Sequence, residues 1–457
     1  MRTIITDTIA AISTPLGEGG ISSIRISGEN AFEVAKAIFK PVSSKDIAEM
    51  KGYTAAFGHI YEGDTRLDEG VALVFRAPKS YTGENVVEIS VHGGVYLIRR
   101  VLRAAVGAGA RVAEAGEFTK RAFLNGKLSL TEAESVMNLI SASGERALQI
   151  ATKNKEGALS LKIKALTDKL LFLVSQISVF SDFPEDETLC LSTEDFADSL
   201  KEIDASLDKL LSNYDKGRLI TGGINTVIVG SPNAGKSTLM NLLSKTERSI
   251  VTSIAGTTRD IIEQTASVGD YTLLLADTAG IHQTDDEVEQ IGIKAALKKL
   301  DTTDLCLAVF DCSVAPTKDD MELIQKIKNK HTLLVLNKND LEDKTNSYYE
   351  NCGLSFVKLS ALTGEGEDDL VLAITDILKL NELDQNAEIL SNERQYNTVL
   401  RASISVKEAI SAINGGVTLD AVGILIDDAL SALLELDGKS ITKEVADEVF
   451  RNFCVGK

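Results

Sequence analysis

The chain predicts a multidomain protein of the α+β and α/β classes, and three observations carry that prediction. Its 457 residues exceed what one ordinary core organises and correspond to about three domains. The first third alternates short β-branched runs with helix-like stretches. Residues 219 to 380 alternate apolar strands with helical segments, the pattern of a parallel sheet wrapped by helices, and helical sequence flanks that stretch on both sides.

Residues 1–120 are expected to form the α+β domain. "GISSIRISG", "TAAFGHIY", "EGVALVFRA" and "NVVEISVHGG" read as strands, with helix-like segments from Ala31 to Phe39 and after Gly94. From Leu130 to Asn213 Gly and Pro are scarce, and Leu, Ile, Lys, Glu and Ala recur at helical spacing, which predicts long helices. In residues 219–380, "INTVIVG", "YTLLLAD", "DLCLAVFD", "HTLLVLNK" and "SFVKLS" read as strands. The remainder returns to helix in "NERQYNTVLRASISVKEAISAI", "TLDAVGILIDDALSALLEL" and "ITKEVADEVFRNF". Residues 121–218 and 381–457 are therefore expected to form one helical domain from which an α/β domain, 219–380, is looped out. In the last helix Ile441, Val445, Val449 and Phe453 recur every fourth residue, an apolar stripe that docks it and launches the tail "CVGK" from a fixed point.

With 44% hydrophobic and 25% charged residues the composition is that of a soluble globular protein. Five cysteines (Cys190, Cys306, Cys312, Cys352, Cys454) without a CxxC pair indicate neither a disulfide framework nor a zinc site, and fit a reducing cytoplasm. Asp7 and Glu18 interrupt the N-terminal sequence, and no stretch approaches the ~18 apolar residues of a membrane span. The net charge of −19 is unevenly spread: basic against acidic residues number 14 and 14 in 1–120, 12 and 16 in 121–218, and 22 and 37 in 219–457. Most of this surface repels a phosphate backbone, so nucleic-acid binding requires a local patch.

"GSPNAGKS" (Gly230 to Ser237) fits the phosphate-binding pattern GxxxxGK[ST], after one strand and opening a helix. Such a loop cradles phosphates with backbone N–H groups, Lys236 reaches the β/γ oxygens, and Ser237 ligates Mg²⁺. "DTAG" (Asp277, Thr278, Ala279, Gly280) follows the next apolar strand, where Asp277 can hold Mg²⁺ through water and the Gly280 amide can sense a γ-phosphate. "NKND" (Asn337, Lys338 and Asp340 among them) selects the base, because one carboxylate accepts together from guanine N1–H and the 2-amino group, a pair adenine lacks. Ser360 and Ala361 follow the last strand, where a backbone amide can meet guanine O6. Four motifs in order designate GTP. Ile281 stands where Ras-type enzymes place a water-orienting glutamine, and no arginine finger is evident. Asn233 and the run "TSIAGTTRD" suggest a monovalent cation in that role, while a turn residue remains the alternative reading of Asn233.

"GEGGISSIRISG", "YTGENVVEISVHGG", "GEFTKRAFLNGKLSLTEAE", "GSPNAGKSTLMN", "TSIAGTTRD", "DTAGI", "NKND" and the terminal "CVGK" together resemble the MnmE/TrmE family of tRNA-modifying GTPases. The resemblance spans the chain and implies a folate-binding-like N-terminal domain that also dimerises, a helical domain and an inserted Ras-like G domain. It further implies a homodimer that works with the FAD-dependent MnmG (GidA), as a heterotetramer or larger complex, on C5 of the wobble uridine of certain tRNAs. The attached group is aminomethyl or carboxymethylaminomethyl, from 5-formyltetrahydrofolate or another tetrahydrofolate one-carbon derivative.

Residue by residue, the resemblance implies GTP contacts by Asn233, Ala234, Gly235, Lys236, Ser237, Thr238, Thr252, Ser253, Ile254, Ala255, Gly256, Thr257 and Thr258, besides those of "DTAG", "NKND" and Ser360–Ala361. Mg²⁺ falls to Ser237 and Thr258, and K⁺ to Asn233, Thr252, Ile254 and Thr257. Glu289 would position the attacking water, and Arg25, Glu88, Lys127 and Lys457 would bind the folate. Chemistry agrees on Glu88: a pterin presents an N–H and 2-amino pair that one carboxylate accepts. Cys454 is either a nucleophile or redox thiol, or an inert one. His92 in "VHGG" reads at least as well as a structural histidine at a strand-to-helix turn as a functional one, and is not counted among the site residues. Ala115 and Val455 depart from the family's usual proline and isoleucine, outside the expected contacts.

Two other classes compete. A regulatory or ribosome-associated GTPase binding module has no need of "RNFCVGK" and would show a basic patch. A stand-alone folate-dependent transferase has no need of four intact nucleotide motifs.

Overall fold

β-Branched residues in alternation favour half-buried strands, and the first third of the chain pairs accordingly. The computed structural model describes residues 7–43, 46–182, 193–245, 264–275, 303–345, 347–384, 387–451, 453 and 455–456. Their contacts define two units, Met1–Met137 with Leu434–Lys457, and Asn138–Leu433.

The first unit is built on a seven-stranded sheet of β1 (Ile9–Ile12), β2 (Gly19–Ser27), β3 (Phe39–Pro41), β4 (Thr54–Glu62), β5 (Thr65–Phe75), β6 (Val86–Gly93) and β7 (Arg111–Val112), in the order β3-β4-β5-β6-β2-β1-β7. Neighbours are antiparallel except β1 with β7. Along β2 the period of two buries Ile24 and Ile26 and turns Arg25 to the opposite face. Helices α1 (Ala31–Ile38) and α2 (Val95–Gly107) cover the apolar face with Ala35, Ile38, Ile98, Val101 and Ala105. The short strands β1, β3 and β7 have too few residues for a pattern and escaped the sequence reading.

Helix α3 (Glu117–Leu124) and the start of α4 (Leu130–Ser141) pack with α14 (Lys443–Arg451), through Leu130, Ala133, Phe450 and Phe453. The buried stripe of α14 is Ala446, Phe450 and Phe453; Ile441 and Val449 lie at its edge and Val445 is half-buried. It differs from the expected four-residue ladder because each such step overshoots a 3.6-residue turn by about 40°, whereas steps of four and three stay on one face. Lys120 Nζ donates to Asp447 at 2.5 Å beside it.

In the second unit the predicted long helices are interrupted. After α4, the chain forms α5 (Glu145–Lys155), α6 (Ala158–Asp182), α7 (Thr193–Ser212) and α8 (Tyr214–Gly222), with Gly144 extended as N-cap of α5 and Gly157, at φ 92°, between α5 and α6. Leu200, Ile203, Leu207 and Leu210 of α7 are buried, as are Val399, Ala402, Val406 and Ala409 of α12 (Glu393–Asn414), and the two helices pack together. Helix α13 (Leu419–Leu436) follows.

The α/β part contains β8 (Ile224–Gly230), α9 (Lys236–Lys245), β9 (Gln264–Val268), β10 (Tyr271–Leu275), β11 (Leu305–Asp311), α10 (Lys318–Ile327), β12 (Thr332–Asn337), β13 (Ser355–Lys358) and α11 (Glu367–Ile377). Its sheet has the order β13-β12-β11-β8-β10-β9, parallel apart from the edge strand β9. Near-continuous burial of β8, β11 and β12 explains why they read as unbroken apolar runs. The strand order reverses at β8, which places the ligand crevice of such a sheet outside its carboxyl end. Among the described residues no helix is long and apolar enough to cross a membrane.

Candidate functional site

At the carboxyl end of β8 the chain turns through Ser231–Gly235 and enters α9 at Lys236. Asn233 (φ 59°) and Gly235 (φ 95°) both lie in the left-handed region, which lets consecutive backbone N–H groups face inward. Lys236 is only 9% exposed and its Nζ donates to the carbonyls of Gly230 (3.0 Å) and Ser231 (2.8 Å), spanning the loop it closes. Ser231 Oγ donates to the Asp320 carboxylate of α10. Ser237, in the first turn of α9, is exposed. Loop amides and the helix N-terminus together form an anion cradle.

Asn337, buried at the end of β12, joins this loop to the last motif. Its Nδ2 donates to Ala234 O at 2.8 Å, and its Oδ1 accepts from Ala361 N at 2.9 Å. A Cβ on Gly235 would stand 2.1 Å from that Nδ2, so glycine is required there for two reasons. Lys338, at φ 64°, donates to Asp311 at 2.5 Å. Burial alone would raise the Asp311 carboxyl, but Lys338 and Ser313 outweigh it and hold it below its ordinary range. Asp340 is exposed beyond this anchored turn, with Asn339 N donating to Leu359 O at 3.1 Å. Ser360 is buried, its N–H donating to Glu365 O at 2.9 Å. The residues expected at 252–258 and 277–280, and Glu289, lie outside the described residues.

In the first unit, Arg25 of β2 and Glu88 of β6 stand directly opposite in register, and Arg25 Nε donates to Glu88 Oε1 at 2.7 Å. Nη1 of Arg25 donates to Gly456 O at 3.4 Å, so the terminal segment does return to this place. Phe453 anchors the segment against Phe450, with ring centroids 5.1 Å apart, and Val455 makes an antiparallel bridge with Ala115. Gly456 has φ 96°, and a Cβ on it would stand 2.2 Å from Ile12 O, so only glycine fits that approach. Lys127 is exposed and its Nζ donates to Pro78 O at 3.3 Å. Cys454 and Lys457 lie outside the described residues.

Sequence reasoning missed three features here. Tyr81 and Phe118 put their rings beside the Arg25 guanidinium, although "YTGEN" and "GEFTK" belong to the quoted motifs. Arg121, 1% exposed, binds Asp7 (2.8 Å), Glu117 (2.9 Å) and Glu84 (3.2 Å), which ties α3 to the segment that leads into β1 and to the 78–84 loop. Burial raises the Glu117 carboxyl, but Arg111, the Glu114 amide and Arg121 outweigh it and lower it below its ordinary range. His92, 73% exposed, pairs through Nδ1 with Asp68 at 2.9 Å, which raises the imidazole. Burial pushes the Cys306 thiol up to about 12 and that of Cys312 up to about 11, so neither is a thiolate at neutral pH.

A loop closed by its own lysine, opening a helix and bound through one buried asparagine to the turn after the last strand of a parallel sheet, defines a P-loop GTPase domain. Residues 8–127 match the family model described as GTP-binding protein TrmE N-terminus, and residues 130–454 that of the MnmE helical domain. The chain is 38% identical over 456 residues to the tRNA modification GTPase MnmE of Lactobacillus helveticus (strain DPC 4571), covering 99% of this chain and 98% of the relative. It is 38% identical over 459 residues to that of Clostridioides difficile (strain 630), covering 99% and 100%, and 39% identical over 453 residues to that of Lactococcus lactis subsp. cremoris (strain MG1363), covering 99% and 98%. The chain belongs to the MnmE family of tRNA modification GTPases.

Proposed function

We propose that this GTPase, acting in tRNA modification as its family does, serves the attachment of an aminomethyl or carboxymethylaminomethyl group to C5 of a wobble uridine. The linkage of Ala234, Asn337 and Ala361 supports guanine nucleotide binding at the end of β8: it couples the phosphate loop to the two turns that would read the base. In this reading Asp340 accepts from guanine N1–H and the 2-amino group, Lys236 and the loop amides hold the phosphates, and Ser237 with Thr258 holds Mg²⁺. Asn233, Thr252, Ile254 and Thr257 hold K⁺, Thr252–Thr258 and Asp277–Gly280 respond to the γ-phosphate, and Glu289 positions water.

The convergence of Arg25, Glu88 and Gly456 supports the folate assignment. In this reading Glu88 accepts the N–H pair of a pterin in exchange for its hydrogen bond to Arg25, and Arg25, Lys127 and Lys457 meet its carbonyl or carboxylate oxygens. Folate, when bound, supplies the one-carbon unit. In the same reading Cys454, which lies outside the described residues, is the candidate reacting thiol. The chain acts as a homodimer with the flavin partner MnmG in the cytoplasm, built from domains 1–120, 121–218 with 381–457, and 219–380. GTP turnover in the G domain biases the helices, and so the uridine chemistry.

Nucleoside analysis of tRNA from cells lacking this chain tests the proposal. The expected result is loss of the modified wobble uridine with other modified nucleosides retained; an unchanged wobble nucleoside would sink it.

A further inference from the structure

The Arg25 guanidinium is held by two hydrogen bonds and by two aromatic rings. Its central carbon lies 5.4 Å from the Tyr81 ring centroid and 5.6 Å from that of Phe118, within the range at which a cation is drawn to a ring. Nε donates to Glu88 (2.7 Å) and Nη1 to Gly456 O (3.4 Å). Neither ring is loose. Phe118 is fully buried on α3. The Tyr81 hydroxyl shares a hydrogen bond of 2.8 Å with Thr119 Oγ1, on the same helix.

The loop that carries Tyr81 is fastened at three further points. Ser80 Oγ donates to Glu84 O (2.6 Å), Asn125 Nδ2 donates to Thr82 O (2.7 Å), and Lys127 Nζ donates to Pro78 O (3.3 Å). Two of the expected folate residues, Arg25 and Lys127, therefore touch the same short loop. Arginine recognises carbonyl and carboxylate groups through a planar fork, and that fork discriminates only when its plane is set. A guanidinium already set by its surroundings loses less freedom when a ligand binds.

We infer that Tyr81, with Phe118 as the second ring, is a positioning residue. It sets the plane of Arg25 so that one guanidinium serves both the terminal segment and a tetrahydrofolate. The ligand half of this inference rests on the folate reading above; the tail half does not.

The test compares full-length wild type, Tyr81→Leu and Tyr81→Phe in two measurements: affinity for 5-formyltetrahydrofolate by calorimetry, and hydrogen exchange of the C-terminal peptide containing Val455 and Gly456 without ligand. Tyr81→Leu is expected to weaken binding about three- to tenfold and to speed exchange at the terminal peptide. Tyr81→Phe keeps the ring and stays within about twofold of wild type in both, a rescue that loss of the Thr119 bond alone would not give. Thermal melting of all three identifies misfolding, and a misfolded Tyr81→Leu is replaced by Tyr81→Met. Unchanged affinity or unchanged exchange in the ring-less variant overturns the inference. If wild type itself binds no folate, the folate reading falls and exchange alone decides: faster exchange supports the clamp, unchanged exchange overturns it.

Discussion

The nucleotide loop and the N-terminal constellation are assembled from different distances along the chain. Lys236 reaches back to Gly230 and Ser231, six and five residues away, and its surroundings are largely backbone. Arg25 instead meets Glu88, 63 residues on, and Gly456, 431 residues on. A site built from neighbouring residues is carried by one turn and one helix start. One built from a sheet register and a returning terminus exists only when the whole unit has folded. The first should therefore fail through its own residues, and the second through any element that sets its register or holds its tail.

The largest expected effect separates the two regions outright. Lys236→Ala removes the charge and the contacts that close the phosphate loop, and should lower GTP turnover by about 100-fold or more while leaving folate affinity within about twofold. Matched losses at both sites would mean that they are not independent. A smaller effect probes the cation: turnover in K⁺ should exceed that in Na⁺ by about tenfold, and equal rates would remove Asn233 and its loop from that role.

The smallest effect belongs to the ion network of Arg121. Because the folded Glu117 carboxyl sits below its ordinary 4.5, its contribution to stability is complete above that pH and is lost as the pH falls through the folded value. Glu117→Gln should therefore lower Tm at pH 7 by about 2–4 °C and flatten the acid decline of wild type. An equally steep decline in both would refute this.

The same contrast explains what was legible in the sequence. The longer strands of both sheets stood out because their apolar runs are long enough to show a pattern, and the nucleotide motifs because the backbone geometry of Asn233 and Gly235 is written into adjacent residues. Arg25 and Glu88 were reached through family resemblance, since no spacing rule states that β2 and β6 align them. Tyr81 and Phe118 were missed because their role depends on where a loop and a helix start meet a strand face. The helix breaks at Gly144 and Gly157 were passed over because one glycine in an otherwise helical run does not by itself end a helix. The antiparallel strand β9 escaped because it is a short edge element next to a much stronger apolar run.

The central claim is that one chain carries a guanine-nucleotide site and a separate folate site. The most direct measurement is 5-formyltetrahydrofolate binding by wild type and Glu88→Ala, with GTP turnover followed on the same samples. Glu88→Ala should lose at least about tenfold in folate affinity, the lower value of a hydrogen bond to a charged group, and turn over GTP at the wild-type rate. Folate affinity unchanged by Glu88→Ala would contradict the account.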